Sequence, residues 1–221
     1  MRYLKMLGLA AVAAAALTAF LGAGSASAHV LCTEGVNAEG LCLTPGGDYA
    51  SGTVFTAEAS NPVLTVSGSS LGVTAVTCKK SNVSVKTLST GKADSTTQVE
   101  GEVTDLTFSE CSMDTTGFGN GSSCTVSTGS GYKGSISTTA LTVNSTTSTT
   151  VTCLGFITCT YSSAKGIQLG LTQGKPASLK ANGISLSISS GGSGCGTTTN
   201  WDATYTLNGA NTGLWVGKGV A

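Results

Sequence analysis

Eight cysteines, one histidine and a few carboxylates are the residues of this chain whose chemistry extends beyond packing. Cys32, Cys42, Cys78, Cys111, Cys124, Cys153, Cys159 and Cys195 are even in number, and no two stand as C-x-x-C. A zinc site needs such pairs or histidines nearby, and His29 is the only histidine. The pattern therefore reads as a disulfide framework, with no metal and no cofactor implied. Spacing makes Cys32–Cys42 and Cys153–Cys159 local bridges. The other four pair as Cys111–Cys124 with Cys78–Cys195, or as Cys78–Cys111 with Cys124–Cys195.

His29 would become the first residue if the chain is cleaved after Ala28. An N-terminal histidine binds copper only with further ligands, such as a second histidine, and Met113 is the one methionine left beyond that point. A single histidine also leaves no Ser–His or Cys–His nucleophile pair. Ser89/Lys92, Ser130/Lys133 and Ser162/Lys165 match S-x-x-K, but three-residue spacing brings groups together on a helix and sets them on opposite faces of a strand. Glu100, Glu102, Asp105, Glu110 and Asp114 include enough carboxylates for the paired acids of glycoside hydrolysis. Glu100 and Glu102 share a strand face, as charges do on a solvated edge. Tyr132, Trp201, Tyr205 and Trp215 are a candidate ligand platform. Trp201 and Tyr205, four apart, share a strand face and suit the filling of a core. No residue is assigned a catalytic role.

The elements that must position these groups are strands. Ser148 to Ser162 sets Thr150 and Thr152 on one face and Val151 and Cys153 on the other, then repeats the alternation through Thr158, Cys159, Thr160 and Tyr161 beyond a turn at Leu154-Gly155-Phe156. Ile184 to Ser189 alternates cleanly, and Gln98 to Ser109 places Leu106 and Phe108 on its buried side. Gly72–Cys78 and Asn82–Leu88 read as the two arms of a hairpin. Turn signals recur every 8–12 residues and no sustained helical period follows residue 28, so the chain is all-β, a sandwich or barrel. The fold expected is an antiparallel β-sandwich stapled by disulfides. Leu64–Val66 with Val76–Cys78 resembles Leu141–Val143 with Val151–Cys153, suggesting two half-units, 53–139 and 140–221.

Composition bounds compartment and partners. Arg2 and Lys5, the apolar run Leu7–Leu21 and Ala26-Ser27-Ala28 form a signal peptide over 1–28, too short and alanine-rich for a membrane span. A stapled loop over 29–52 precedes the β region, 53–221. The chain has 11 basic and 11 acidic residues, and its only arginine is Arg2, so phosphate recognition and nucleic-acid binding are not expected. Charged residues are 10% of the chain against about 25% in ordinary soluble domains. Ser and Thr, roughly 29% of the sequence, supply the polar surface instead.

At Val76-Thr77-Cys78, Leu106-Thr107-Phe108-Ser109-x-Cys111, Cys124-Thr125-Val126, Val151-Thr152-Cys153, Cys159-Thr160-Tyr161 and Trp201-Asp202-Ala203-Thr204-Tyr205-Thr206, the chain resembles a family of uncharacterised exported proteins of soil actinobacteria. The resemblance spans roughly residues 50–216 and implies secretion and a β fold, with no site to carry over. A fainter similarity, to the exported alkane-oxidation activator family, rests on a Cys-ended strand followed by an aromatic strand. The functional expectation is a secreted or cell-surface-associated structural or binding protein whose partners are polysaccharide or other cell-envelope components. The alternative is a secreted carbohydrate-active hydrolase using a carboxylate pair.

Overall fold

The computed structural model describes residues 29–44, 47–89, 99–117, 119–129, 132–137, 142–145, 148–163, 167–192 and 194–218. The expected signal peptide lies outside them. Every regular element is a strand: β1 (His29–Cys32), β2 (Val54–Ser60), β3 (Val63–Ser67), β4 (Val73–Thr87), β5 (Val99–Thr115), β6 (Ser123–Thr128), β7 (Tyr132–Ser137), β8 (Thr142–Ser145), β9 (Ser148–Cys153), β10 (Ile157–Ser162), β11 (Ile167–Thr172), β12 (Ser178–Gly191), β13 (Thr198–Asn208) and β14 (Trp215–Lys218).

Several short strands are collinear. β2 and β3 both run antiparallel to β4, from Val54 opposite Lys86 to Thr65 opposite Ala75, and so form one stave interrupted at Asn61-Pro62. Asn61 there adopts a φ of 53°, and proline has no N–H to give a ladder. In the same way β6 and β7 lie along β5, β8 and β9 along β7 and β6, and β10 and β11 along β9 and β8. With β4, β5, β12 and β13 these pairs make eight staves, each joined to the next in sequence. β13 then pairs back onto β2 and β3. The result is a closed up-and-down antiparallel barrel, which leaves its staves no open edge. The opposed layers expected of a sandwich are here the opposite walls of one closed sheet.

The register can be followed across Glu58, Asn82, Thr107, Ser127, Thr150, Thr160 and Ser190, and from Ser187 on the same stave through Thr198 to Ser67. It returns to the first stave about a dozen residues beyond Glu58, a stagger that opens an eight-stave interior enough for one small ligand.

Staves this long stay on the barrel only by bending. β4 is continuous through Lys79-Lys80-Ser81, so the expected hairpin between Gly72–Cys78 and Asn82–Leu88 is instead one bent strand. Cys78 and Ser81 both face inward while Lys79 and Lys80 are exposed. Opposite them on β5, Glu110 takes a φ of 51° and its carboxylate pairs with Lys79. A second shift, between Ser84/Val85 and Asp105/Val103, lets both Val103 and Leu106 line the interior, where strict alternation put them on opposite faces. β12 shifts at Asn182-Gly183, where the Gly183 N–H, at φ 62°, donates to Asp202 Oδ1 at 2.7 Å. Such extra residues bend a strand and increase its twist.

Inward and outward faces follow residue type. On β13, Thr199, Trp201, Ala203, Tyr205 and Leu207 are buried while Thr198, Asn200, Thr204, Thr206 and Asn208 are exposed. β9 and β10 turn Val151, Cys153, Cys159 and Tyr161 inward. Outside, the hydroxyls of Thr150 and Thr160 lie 3.0 Å apart and those of Thr152 and Thr158 3.2 Å apart. An apolar interior behind such a wall inverts the plan of a lipid-spanning barrel. No helix among the described residues is long and apolar enough to cross a membrane.

All eight cysteines are bridged, as Cys32–Cys42, Cys78–Cys111, Cys124–Cys153 and Cys159–Cys195, and such bridges form and persist in an oxidising compartment. Cys78, Cys111, Cys124 and Cys153 occupy one lateral row across four staves. The expected Cys153–Cys159 bridge is not formed because the tight turn sets Cys153 opposite Ile157 and Cys159 opposite Val151. Cys153 joins Cys124, directly opposite on the neighbouring stave, with Cα atoms 4.2 Å apart. Cys159 then reaches Cys195 in the loop before β13, so neither Cys78–Cys195 nor Cys124–Cys195 occurs. The two half-units inferred from sequence supply four staves each to the closed sheet. Leu64–Val66 and Val76–Cys78 lie on consecutive staves, however, whereas Val143 and Val151–Cys153 lie on one.

One end of the barrel is closed by both ends of the described chain. β1 pairs with β14, His29 opposite Lys218 through Cys32 opposite Trp215. Tyr49 ties this cap down: its hydroxyl donates to the Gly213 carbonyl at 2.7 Å and its ring packs edge-on against Phe55 at 4.7 Å. Leu214 exchanges two backbone hydrogen bonds with Gly174 of the β11–β12 turn.

Candidate functional site

The inward faces leave a chamber of about 120 Å³ in the half of the barrel next to the cap. Its described walls include Phe55 and Ala57 from β2, Val83 and Val85 from β4, Val99 and Val103 from β5, Ile167 and Leu169 from β11, and Trp201, Tyr205 and Leu207 from β13. Leu31 and Leu214 close it from the cap side. Inward-facing Gly101 lies opposite Gly134 on the next stave, and both line the chamber. Among the described residues lining it, the only ionisable side chain with an ordinary charge is Glu100, an exposed residue at the margin. A cavity of ~150 Å³ with comparable apolar walls stays dry and takes up benzene.

The polar atoms facing this interior are few. Ser81 Oγ and Tyr205 Oη lie 2.9 Å apart and share one hydrogen bond, both residues being buried. Burial pushes the Tyr205 phenol up to about 12. The Trp201 ring meets Tyr205 edge-on at 6.0 Å. Trp201 Nε1–H is buried and has no hydrogen-bond partner among the described residues, and the same is true of Thr199 Oγ1 two residues earlier on the same inward face. A buried polar group without a partner costs about 1–3 kcal/mol. Trp201 and Leu106 line both the main chamber and a void of about 10 Å³ beyond it, and Thr199 lines a third, of about 20 Å³, on the disulfide side.

The acids stand elsewhere. Glu100, Asp105, Glu110 and Asp114 are exposed on β5 and Glu102 is partly exposed. The Lys79 ammonium lowers the Glu110 carboxyl below its ordinary range, and Asp114 Oδ2 accepts from the Thr77 hydroxyl at 3.4 Å. Of the four platform aromatics, Trp201 and Tyr205 face the barrel interior and Trp215 lies in the cap, partly buried. The Tyr132 side chain, Ser130, Lys92 and Lys165 lie outside the described residues, which leaves each S-x-x-K pair incomplete there. No group of three potential metal ligands occurs among the described residues. The Ser81–Tyr205 pair was not anticipated from sequence. Its one trace is a serine inside a strand whose flanking Lys80 and Asn82 are exposed.

Tyr205→Phe leaves Ser81 Oγ buried without its partner and is expected to cost about 1–3 kcal/mol. Ser81→Ala with Tyr205→Phe removes both polar atoms and is expected to recover most of that loss in urea unfolding. The pH dependence has a fixed sign. The Tyr205 phenol sits at about 12 when folded and near 10 when unfolded, so only the unfolded chain ionises between these values. The stability associated with Tyr205 is fully present below pH 10 and falls by about 1.4 kcal/mol per unit until about pH 12. Unfolding curves at pH 9 and 11 should therefore separate more for the native chain than for Tyr205→Phe.

Comparison with protein-family models, with curated proteins and with solved structures gives no match to this chain.

Proposed function

We propose that this is an exported, non-catalytic binding protein that holds a small apolar molecule inside its barrel. The observation that carries the reading is the chamber: an apolar volume of about 120 Å³ is kept open in the middle of a closed, disulfide-stapled sheet. Cores pack to the density of organic crystals, and unfilled volume in them is destabilising. Retention of such a space has a physical rationale when something occupies it. Export is supported by the four bridges and by the amino-terminal pattern of the sequence. The hydroxyl-covered outer wall suits contact with polysaccharide or envelope material without requiring a pocket there. The hydrolase alternative draws no support from the acids, which stand on the outer wall while Trp201 and Tyr205 face inward.

Toluene, supplied to the folded protein, is expected to raise its melting temperature, because a ligand bound only by the native state stabilises it by mass action. Ala57→Leu, which puts a larger side chain into the chamber wall, should abolish that response. No response of the native protein, or an unaltered response of the Ala57→Leu variant, would count against the barrel interior as the site.

A further inference from the structure

The space inside the barrel is divided, and the residue that divides it bears on what the chamber can hold; this inference rests on the binding reading above. Leu64 from β3, Leu106 and Phe108 from β5, Thr149 from β9, Leu186 from β12 and Trp201 from β13 surround the void of about 10 Å³. Coming from strands all round the closed sheet, these side chains form a layer across the interior. Within that layer, Trp201 and Leu106 also line the cap-side chamber. Leu64 does not, and instead lines the void of about 20 Å³ beside Cys153, Cys159 and Cys195. Empty apolar space therefore lies on both sides of the Trp201 ring. The indole is the bulkiest group of the layer, and the Tyr205 ring meets it edge-on at 6.0 Å.

We propose that Trp201 is the specificity-determining residue of the chamber, the wall against which the inner end of a hydrocarbon ligand stops. The occupant is then a short, uncharged hydrocarbon, of the size of a single ring with a small alkyl group. It lies between Leu31 and Leu214 at the cap and the indole at the other end. No lysine or arginine is among the described residues lining the chamber, so an anionic ligand would bear the cost of desolvation without a counter-charge. A longer chain needs the space behind the ring, which the close-packed layer denies it.

A series of n-alkylbenzenes from toluene to hexylbenzene, titrated into the folded protein by calorimetry, reads the limit directly. Each added methylene should tighten binding about fourfold until the chain meets Trp201, after which affinity falls. Trp201→Phe keeps an aromatic wall, removes a buried N–H and opens a way to the void behind, so its turning point should come at a longer chain. Leu106→Ala opens the same partition from β5 and should shift the turning point in the same direction. In NMR of methyl-labelled protein, the chain end of the ligand should touch Leu64 in the variants and not in the native complex. A turning point unchanged in both variants, or contact with Leu64 in the native complex, overturns the inference while the binding reading stands. If no alkylbenzene binds the native protein, the binding reading fails and the inference with it.

Discussion

Treated with a thiol reductant at neutral pH, the protein is expected to lose its cooperative unfolding transition and its fixed tertiary structure at room temperature. Three bridges, Cys78–Cys111, Cys124–Cys153 and Cys159–Cys195, close loops whose ends are separated by 33, 29 and 36 residues. On the loop-entropy model each stabilises by about 3.5–4 kcal/mol. Their combined loss is then about 11 kcal/mol, within the ~5–15 kcal/mol that is the whole net stability of an ordinary domain. The barrel core cannot compensate, because an open chamber occupies its cap-side half. Cys32–Cys42 closes a loop whose ends are 10 residues apart and lies in the cap, so Cys32→Ala with Cys42→Ala should cost about 2.7 kcal/mol and leave the barrel folded. Near-ultraviolet circular dichroism with thermal melts reads both cases. A fully reduced protein that melts at the temperature of the oxidised one would refute the assignment of stability to the bridges.

Leu186→Ala is expected to be strongly destabilising. Leu186 is 1% exposed, stands opposite Thr199 on β13 and lines the small void next to Trp201. The substitution removes buried methyl groups and merges the new space with voids already present, so collapse around the site recovers little. A loss of about 3 kcal/mol follows from comparable core truncations, or a melting temperature lower by roughly 6–12 °C for a chain of this size. Phe156, 73% exposed at the β9–β10 turn, is the contrasting case. Phe156→Ser should stay within about 0.5 kcal/mol of the native protein.

The faces of individual strands were legible in the sequence because a two-residue period is local. Thr150 and Thr152 against Val151 and Cys153, Leu186 and Ile188 against the serines between them, and Trp201 with Tyr205 all face as alternation requires. Bends defeated the same rule. Gly72–Cys78 and Asn82–Leu88 looked like the two arms of a hairpin, but the bulge at Lys79-Lys80-Ser81 keeps them in one strand. The Cys124–Cys153 pairing depends on which stave lies beside which, and the turn at Leu154–Phe156 does not encode that. The chamber was illegible for another reason. Phe55, Val99, Leu169 and Trp201 meet across the barrel, and a cavity is what those side chains fail to fill, which no single residue reports.

The seam between β13 and the β2–β3 stave joins Trp201 to Leu64 and Thr206 to Glu58, residues far apart along the polypeptide. For a chain emerging amino end first, every other stave can add to its predecessor as a local hairpin, but this seam waits for the last one. Until then two raw sheet borders face solvent, the condition in which β proteins cross-associate. A product truncated before Thr198 would keep those borders permanently and so become a substrate for aggregation or proteolysis. The distant contact also carries the largest loop-closure cost in the barrel, making the zipping of the final stave the expected slow step of maturation.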